Sequence, residues 1–514
     1  MKRTVLRGAA VVVAVTLGLV GCSAPEQGSV GEGGATAGGA LNIGNFADVT
    51  SWDPAGADIG FDGPYLSAVY DPLVTLDEAG EPAPALATDW TVSEDKRTVT
   101  MDLRSDVTFS DGQVFDAAAA VANLERLKDG ARSRDAYTAV SGFSVVDADT
   151  ITISLKERDD TLLYFMGLGR SWMASPAALE GDALAKAPVG SGPYTLSDAS
   201  VAGSEYRFEK KRDHWNAKSF TGDPLAIFPI ADATARNNAM AAGQINVNYA
   251  DHPAIVQAES MGWNQAETAA TWVGLQFSGR ADEGGSEAAR AVTKLEVRQA
   301  INHAFDGAKL LQALAEGDGV DAQQTFPEGT PGYDVALNSR YGYDVDQAKQ
   351  LLAQAGYPDG FDITLPVTAA FAALQPTVEQ NLGAIGIKVK WDSMQYIDYQ
   401  AKVGTYPMFM ARLAMYSNPI ANVVRGVKTP MWYNPKPGME SIPGLKDAVQ
   451  EVLTAEPSAQ PDLVKKLNGV LSEQAYFDVW FQGNNTYVSA PGVTIKPLTG
   501  QMFPTLNRIT VASS

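Results

Sequence analysis

Two short segments carry the side chains best suited to holding a ligand. Arg412, Tyr416 and Asn418 lie in Ala411-Arg-Leu-Ala-Met-Tyr-Ser-Asn-Pro419, and Arg170 and Trp172 lie in Gly169-Arg-Ser-Trp-Met-Ala-Ser-Pro176. A guanidinium is a planar fork of donors that matches a carboxylate or phosphate. Arg412 with Arg170 therefore points to an anionic group on the ligand, a structural ion pair being the alternative for Arg412. Patterns for bond-breaking chemistry are missing. The 3 histidines, at 214, 252 and 303, lack metal-ligand spacing such as HExxH. There is no GxSxG elbow. Carboxylates total 60, so a pair of them distinguishes nothing. The chain reads as a binder rather than an enzyme, with no metal or cofactor expected.

These residues must be held by a frame, and that frame is clearest from Pro84 to Leu127. Thr98, Thr100 and Asp102 alternate with Val99, Met101 and Leu103, the period of a half-buried strand. Ser93 to Lys96 suits an exposed turn, so the stretch opens as a hairpin. Asp111-Gly112 supplies a second turn. Asp116 can cap a helix whose Val121, Leu124 and Leu127 recur at helical spacing.

The order of residues here resembles the signature region of the family 5 extracellular solute-binding proteins of bacterial ABC importers. The resemblance rests on Leu86, Ala87, Trp90, Leu103, Arg104, Val107, Phe109, Asp111 and Gly112. It extends to the Gly190-Ser-Gly-Pro-Tyr194 turn, to Arg212-Asp-His-Trp215, and to a helix with Val297, Arg298, Gln299, Ala300, Ala304 and Asp306. It implies an α/β, two-lobed periplasmic-binding-protein type II fold with an extra subdomain in the first lobe. It further implies that a ligand is buried between closing lobes and delivered to a permease driven by ATPase subunits. Peptide-binding relatives often carry an aspartate that pairs with a peptide's amino terminus where this chain has Met415, and a tryptophan where it has Arg412. Methionine cannot neutralise a buried ammonium. Non-peptide ligands such as anionic metabolites, glycosides or metal chelates therefore stand beside peptides, and a ligand sensor without transport stands beside the importer receptor.

In chain order, Leu41–Asn45 reads as a strand, followed by a loop carrying Phe46 and Asp48 as candidate ligand contacts. Trp52 and Asp53 read as packing and a turn. A helix is expected over 65–76, strands over 142–149 and 150–155, and a helical run over 162–168. Strand and helix alternate from 226 to 247, and a strand covers 273–277. One helix is expected from Leu295 to Leu310, with His303 near its apolar stripe. A capped helix over 344–356 and strands at 362–365 and 387–391 flanking a helix over 378–385 complete a second α/β set. The first lobe is expected to span 41–277 with a subdomain at about 77–187, the second lobe 278–480, and the return to the first lobe 481–514.

A net charge of −21 and a pI near 4.6 exclude a nucleic acid or an anionic membrane face as a partner. The hydrophobic fraction of 45% is ordinary for a globular chain. At the N-terminus, Lys2, Arg3 and Arg7 precede the short apolar run Ala9 to Val20, the layout of a signal peptide over residues 1–21. The following Leu19-Val-Gly-Cys22 resembles the lipobox of bacterial lipoproteins, so lipidation is expected at Cys22, the 1 cysteine in the chain. Residues 23–40 are Gly- and Ser-rich and read as a flexible tether spanning ~25 Å. A monomer anchored on the outer face of the cytoplasmic membrane, or on its periplasmic side, is expected.

Overall fold

The computed structural model describes residues 39–280 and 285–512; the readings made on residues 1–38, Cys22 among them, lie outside these residues. The backbone of the fold is a mixed sheet of nine strands. At its centre Leu41–Asn45 runs parallel to Leu225–Pro229 on one side and Val247–Tyr249 on the other. Two 13-residue antiparallel strands, Asn264–Gln276 and Phe477–Ser489, then carry the sheet outward. At one end Phe477–Ser489 pairs with Val247–Tyr249, and at the other end Asn264–Gln276 pairs with the edge strand Phe409–Ala414. This long ribbon connects the two lobes.

The first lobe packs Tyr65, Leu66, Trp172 and Tyr206 beneath the central strands. Beside it, a four-stranded antiparallel sheet built from Ala87–Val92, Thr98–Leu103, Thr150–Leu155 and Val140–Val145 is covered by the helix Ala117–Asp129. The alternation expected over 98–103 is met, with Val99, Met101 and Leu103 buried. Asp116 caps the helix, its Oδ1 accepting from the Ala119 N–H at 2.8 Å. The Gly190-Ser-Gly turn lies against the Val69 backbone, where a Cβ on Gly190 would sit 2.1 Å from the Val69 carbonyl oxygen. The second lobe wraps the parallel pair Phe361–Val367 and Ile387–Ser393 with the helices Leu295–Asn302, Val345–Gln354 and Gln375–Ala384.

Several boundaries differ from the sequence expectation. The helix expected over 65–76 is Ile59–Val69, after which the chain turns to the strand Val74–Leu76. Pro72 disfavours a helical Asp71 before it, and the Asp71 carboxylate is committed to His214 Nε2 at 3.0 Å. The expected helix Leu295 to Leu310 divides at Asp306, which caps Gly307–Ala315 by accepting from the Lys309 N–H. The strand expected over 273–277 begins at Asn264, since its partner Phe477–Ser489 extends the ladder far past the apolar run. His303 hydrogen-bonds the Gly342 carbonyl at 2.7 Å and is not part of a ligand cluster. Among the described residues no group of three or more metal-ligating side chains occurs, and no helix is long and apolar enough to cross a membrane.

Candidate functional site

The front face of the ribbon carries the site. Successive residues of a strand point to opposite faces, so Trp272 and Gln276 share one face, with Gly274 between them. Over this face lies a cavity of about 220 Å³ closed by Tyr416, Arg425, Trp432 and Asp135. A second cavity of about 210 Å³ shares Ala414, Tyr416 and Arg425 with the first and adds Arg170, Thr271 and Gln501. Asp135 and Arg170 also border a wider recess of about 940 Å³ that leads outward.

Two arginines from opposite lobes converge here, each on a widened helical turn. Arg170 ends Met166–Arg170 and Arg425 lies within Val424–Lys428; such turns recur at functional sites. The first turn depends on Gly169, whose φ is 101° and whose Cβ would meet the Trp172 ring at 3.1 Å. Tyrosine hydroxyls fix both arginine backbones: Tyr137 donates to the Arg170 carbonyl, and Tyr433 donates to that of Arg425 at 3.2 Å. Burial pushes both phenols well above their usual pKa, so they remain neutral donors.

The two guanidiniums share one carboxylate. Arg425 Nη1 donates to Asp135 Oδ2, and Arg170 Nε lies 3.3 Å from Asp135 Oδ1. Their side chains are only 8% and 11% exposed. Burial works against the Arg425 charge, but Tyr416, Asp135 and Tyr433 outweigh it and hold its pKa above the ordinary value. Arg425 also lies 4.0 Å over the Phe165 ring of the first lobe. This group has two positive charges against one negative.

Around it several buried polar atoms are unsatisfied by protein. Arg170 Nε and Nη1, Arg425 Nε, Thr271 Oγ1, Gln501 Oε1 and both polar atoms of the Gln276 side chain make no hydrogen bond to the chain. Gln276 is 0% exposed. An unpaired buried polar group costs about 1–3 kcal/mol, and native interiors hold few of them. Their concentration around two adjoining cavities is the property of a cleft shaped to receive a polar solute.

Of the residues singled out in the sequence, Arg170 and Tyr416 reach this cleft. Tyr416 stands edge-on to Phe165 and Tyr164, with ring centres 5.5 and 6.3 Å apart. The others are placed elsewhere. Trp172 is buried at 3% in the first-lobe core, where its large ring is most stable. Asn418 caps the helix Pro419–Val423, its Oδ1 accepting from the Ile420 and Ala421 N–H groups. Phe46 packs against Phe61 and Tyr249, and exposed Asp48 accepts from the Tyr206 hydroxyl at 2.7 Å. Arg412 is in register with Val273 and Phe481 on the rear face of the ribbon, where all three line a separate cavity of about 550 Å³. Met415 is fully buried.

The sequence reading did not single out Asp135, Arg425, Thr271, Gln276 or Gln501. Gln276 did carry a signal, being a polar residue that interrupts the apolar run Trp272-Val-Gly-Leu-Gln-Phe277. Asp135 and Arg425 carried none, because their significance lies in meeting across the cleft.

Comparison with known proteins agrees with this architecture. The family model for bacterial extracellular solute-binding proteins, family 5, middle region, matches residues 81–430. The glutathione-binding protein GsiB of Escherichia coli O1:K1 is 26% identical over 362 residues, covering 68% of each chain. The fold is similar to that of the periplasmic binding protein DppA from Helicobacter pylori in complex with the peptide STSA, with a TM-score of 0.78 and 22% identity over 93% of this chain and 98% of that one. It is also similar to AgaA from A. tumefaciens R10 in complex with agropinic acid, with a TM-score of 0.76 and 22% identity over 93% and 99% of the two chains. With a two-lobed frame, a polar interlobe cleft and a matching family model over most of its length, the chain belongs to the bacterial extracellular solute-binding proteins of family 5, the substrate-binding receptors of ABC importers, and is not an enzyme.

Proposed function

We propose that this receptor captures a peptide or peptide-like solute bearing a carboxylate, and that Arg170 and Arg425 receive that carboxylate. The observation that carries this reading is the pair of buried guanidiniums with three nitrogens that make no hydrogen bond to the chain and a single shared counter-charge. A ligand anion would neutralise the remaining positive charge and complete the donor set. Glutathione, a peptide and agropinic acid, the solutes named for the relatives, all bear a carboxylate.

Closure works about the ribbon. The ladder is irregular between Ala269 and Thr271, and the partner strand has Gly483 at that level. A bulge with a glycine is where a sheet bends most readily. We place the hinge there, with lobes of about 41–277 and 278–480, the subdomain near 77–187, and 481–514 returning to the first lobe. Ligand drives closure through its better fit to the closed form. The mature chain is taken to begin at lipidated Cys22, tethered through residues 23–40 to the outer face of the membrane as a monomer, beside its permease.

A second reading keeps the receptor and replaces the peptide with a non-peptide anion. Met415, uncharged and fully buried where peptide-binding relatives often carry an aspartate, favours it. Native mass spectrometry of residues 23–514, secreted from the native host, tests both. A co-purifying acid that returns ~2.7 kcal/mol of stability at a hundredfold excess over its Kd supports the receptor and identifies the solute class. An empty protein that no peptide, organic acid, glycoside or chelate stabilises overturns it.

A further inference from the structure

Gln276 ends the long ribbon strand, held by backbone pairing to Phe409 on one side and Phe477 on the other. Its side chain is fully buried and opens on the same 220 Å³ cavity as Arg425, yet neither its amide nitrogen nor its amide oxygen bonds to protein. A carboxylate could take only its N–H, and an ammonium only its carbonyl oxygen; either would leave the other atom buried and unpaired. A donor and an acceptor side by side would satisfy both. In an extended peptide the N–H and C=O of one residue point the same way, as in the exchanged pair of an antiparallel ladder.

We propose that Gln276 reads the main-chain N–H and C=O of one extended residue of the bound solute, and that the cleft selects amide-bearing carboxylates whose amino end is blocked or held outside. This inference rests on the carboxylate site proposed above. Amino-end selection follows from the carboxylates bordering the two front cavities. Asp135 already faces two guanidiniums, and Asp58 is paired with Arg132 at 2.5 Å. Asp58 is thus engaged, and although Asp135 Oδ1 makes no hydrogen bond, the two guanidiniums beside it outweigh its charge and disfavour a ligand ammonium. The aromatic walls Trp272, Tyr416, Trp432 and Tyr433 suit an apolar side chain next to the amide.

Calorimetric titration of the mature receptor with three probes tests this. N-acetyl-alanyl-phenylalanine carries the amide pair and the carboxylate, its C-terminal amide lacks the carboxylate, and 6-phenylhexanoate lacks the amides. The acetylated dipeptide acid is expected to bind at least ~10-fold tighter than either, as befits the loss of one or two buried hydrogen bonds. Gln276→Leu is expected to erase the preference over 6-phenylhexanoate while keeping the preference over the C-terminal amide. Equal binding of the two acids by the wild type overturns the role of Gln276 and leaves the receptor reading standing. Absence of binding by any acid overturns the carboxylate site and this inference together. Should Gln276→Leu not fold, the wild-type preferences decide alone.

Discussion

Arg170 and Arg425 approach each other from different lobes and meet on the carboxylate of Asp135, so the one anion between them serves both. The arrangement is short of a negative charge when the lobes are together. The same contact draws Phe165 under the Arg425 guanidinium and Tyr416 against Phe165. On the function proposed above, ligand charge and lobe closure couple through this one cluster.

Arg425→Ala is expected to weaken binding of the physiological acid ~10- to 100-fold, the range for losing charge-assisted hydrogen bonds in a buried site. Arg412→Ala, on the rear face, is expected to stay close to wild-type affinity. Titration of both variants against one acid checks this, and a large loss in Arg412→Ala would return that residue to the site.

Filling the rear cavity is expected to favour closure. His252 Nε2 lies 2.9 Å from Glu316 Oε2 at this cavity, and rotation that opens the front about the ribbon must narrow this space. Arg412→Trp adds bulk there without touching the front cleft. Small-angle scattering of the ligand-free variant is expected to give a smaller radius of gyration than the wild type, with an unchanged radius counting against a hinge at Ala269–Thr271.

Gly169→Ala is expected to cost about 1–3 kcal/mol, the scale for forcing a side chain into a sparsely populated backbone region. The added Cβ would also press on Trp172 and Ile59. Because the same turn aims Arg170, affinity is expected to fall along with the urea midpoint. A loss of stability with unaltered affinity would show that Arg170 does not touch the solute.

Asp478 supplies a pH dependence. Burial raises its pKa well above the usual carboxylate value, a hydrogen bond from Trp480 Nε1 opposing only in part. The folded state thus favours the protonated acid. Its stabilisation is complete below the unfolded carboxylate pKa and is lost as pH rises through the raised folded value. Asp478→Asn is expected to raise the urea midpoint near pH 8 but not near pH 4, and a midpoint difference independent of pH would refute this assignment.

The sequence by itself determined the local frame. Alternation over 98–103, the Asp116 cap and the glycine-proline turn follow from forces acting within a few residues, and their order was sufficient to identify the family. Arg170 and Tyr416 were singled out as polar side chains in the sequence, and both border the cleft. Only the tertiary structure decided the rest. Arg412 and Leu413 are neighbours, yet strand pairing sends them to opposite faces, one to the rear cavity and one to the cleft. Trp172 and Asn418 went to a core and a helix cap, where burial and backbone donors claimed them. Asp135, Arg425 and Gln276 gained their meaning when a long ribbon brought two lobes together, because an unpaired charge or amide is defined by what surrounds it in space.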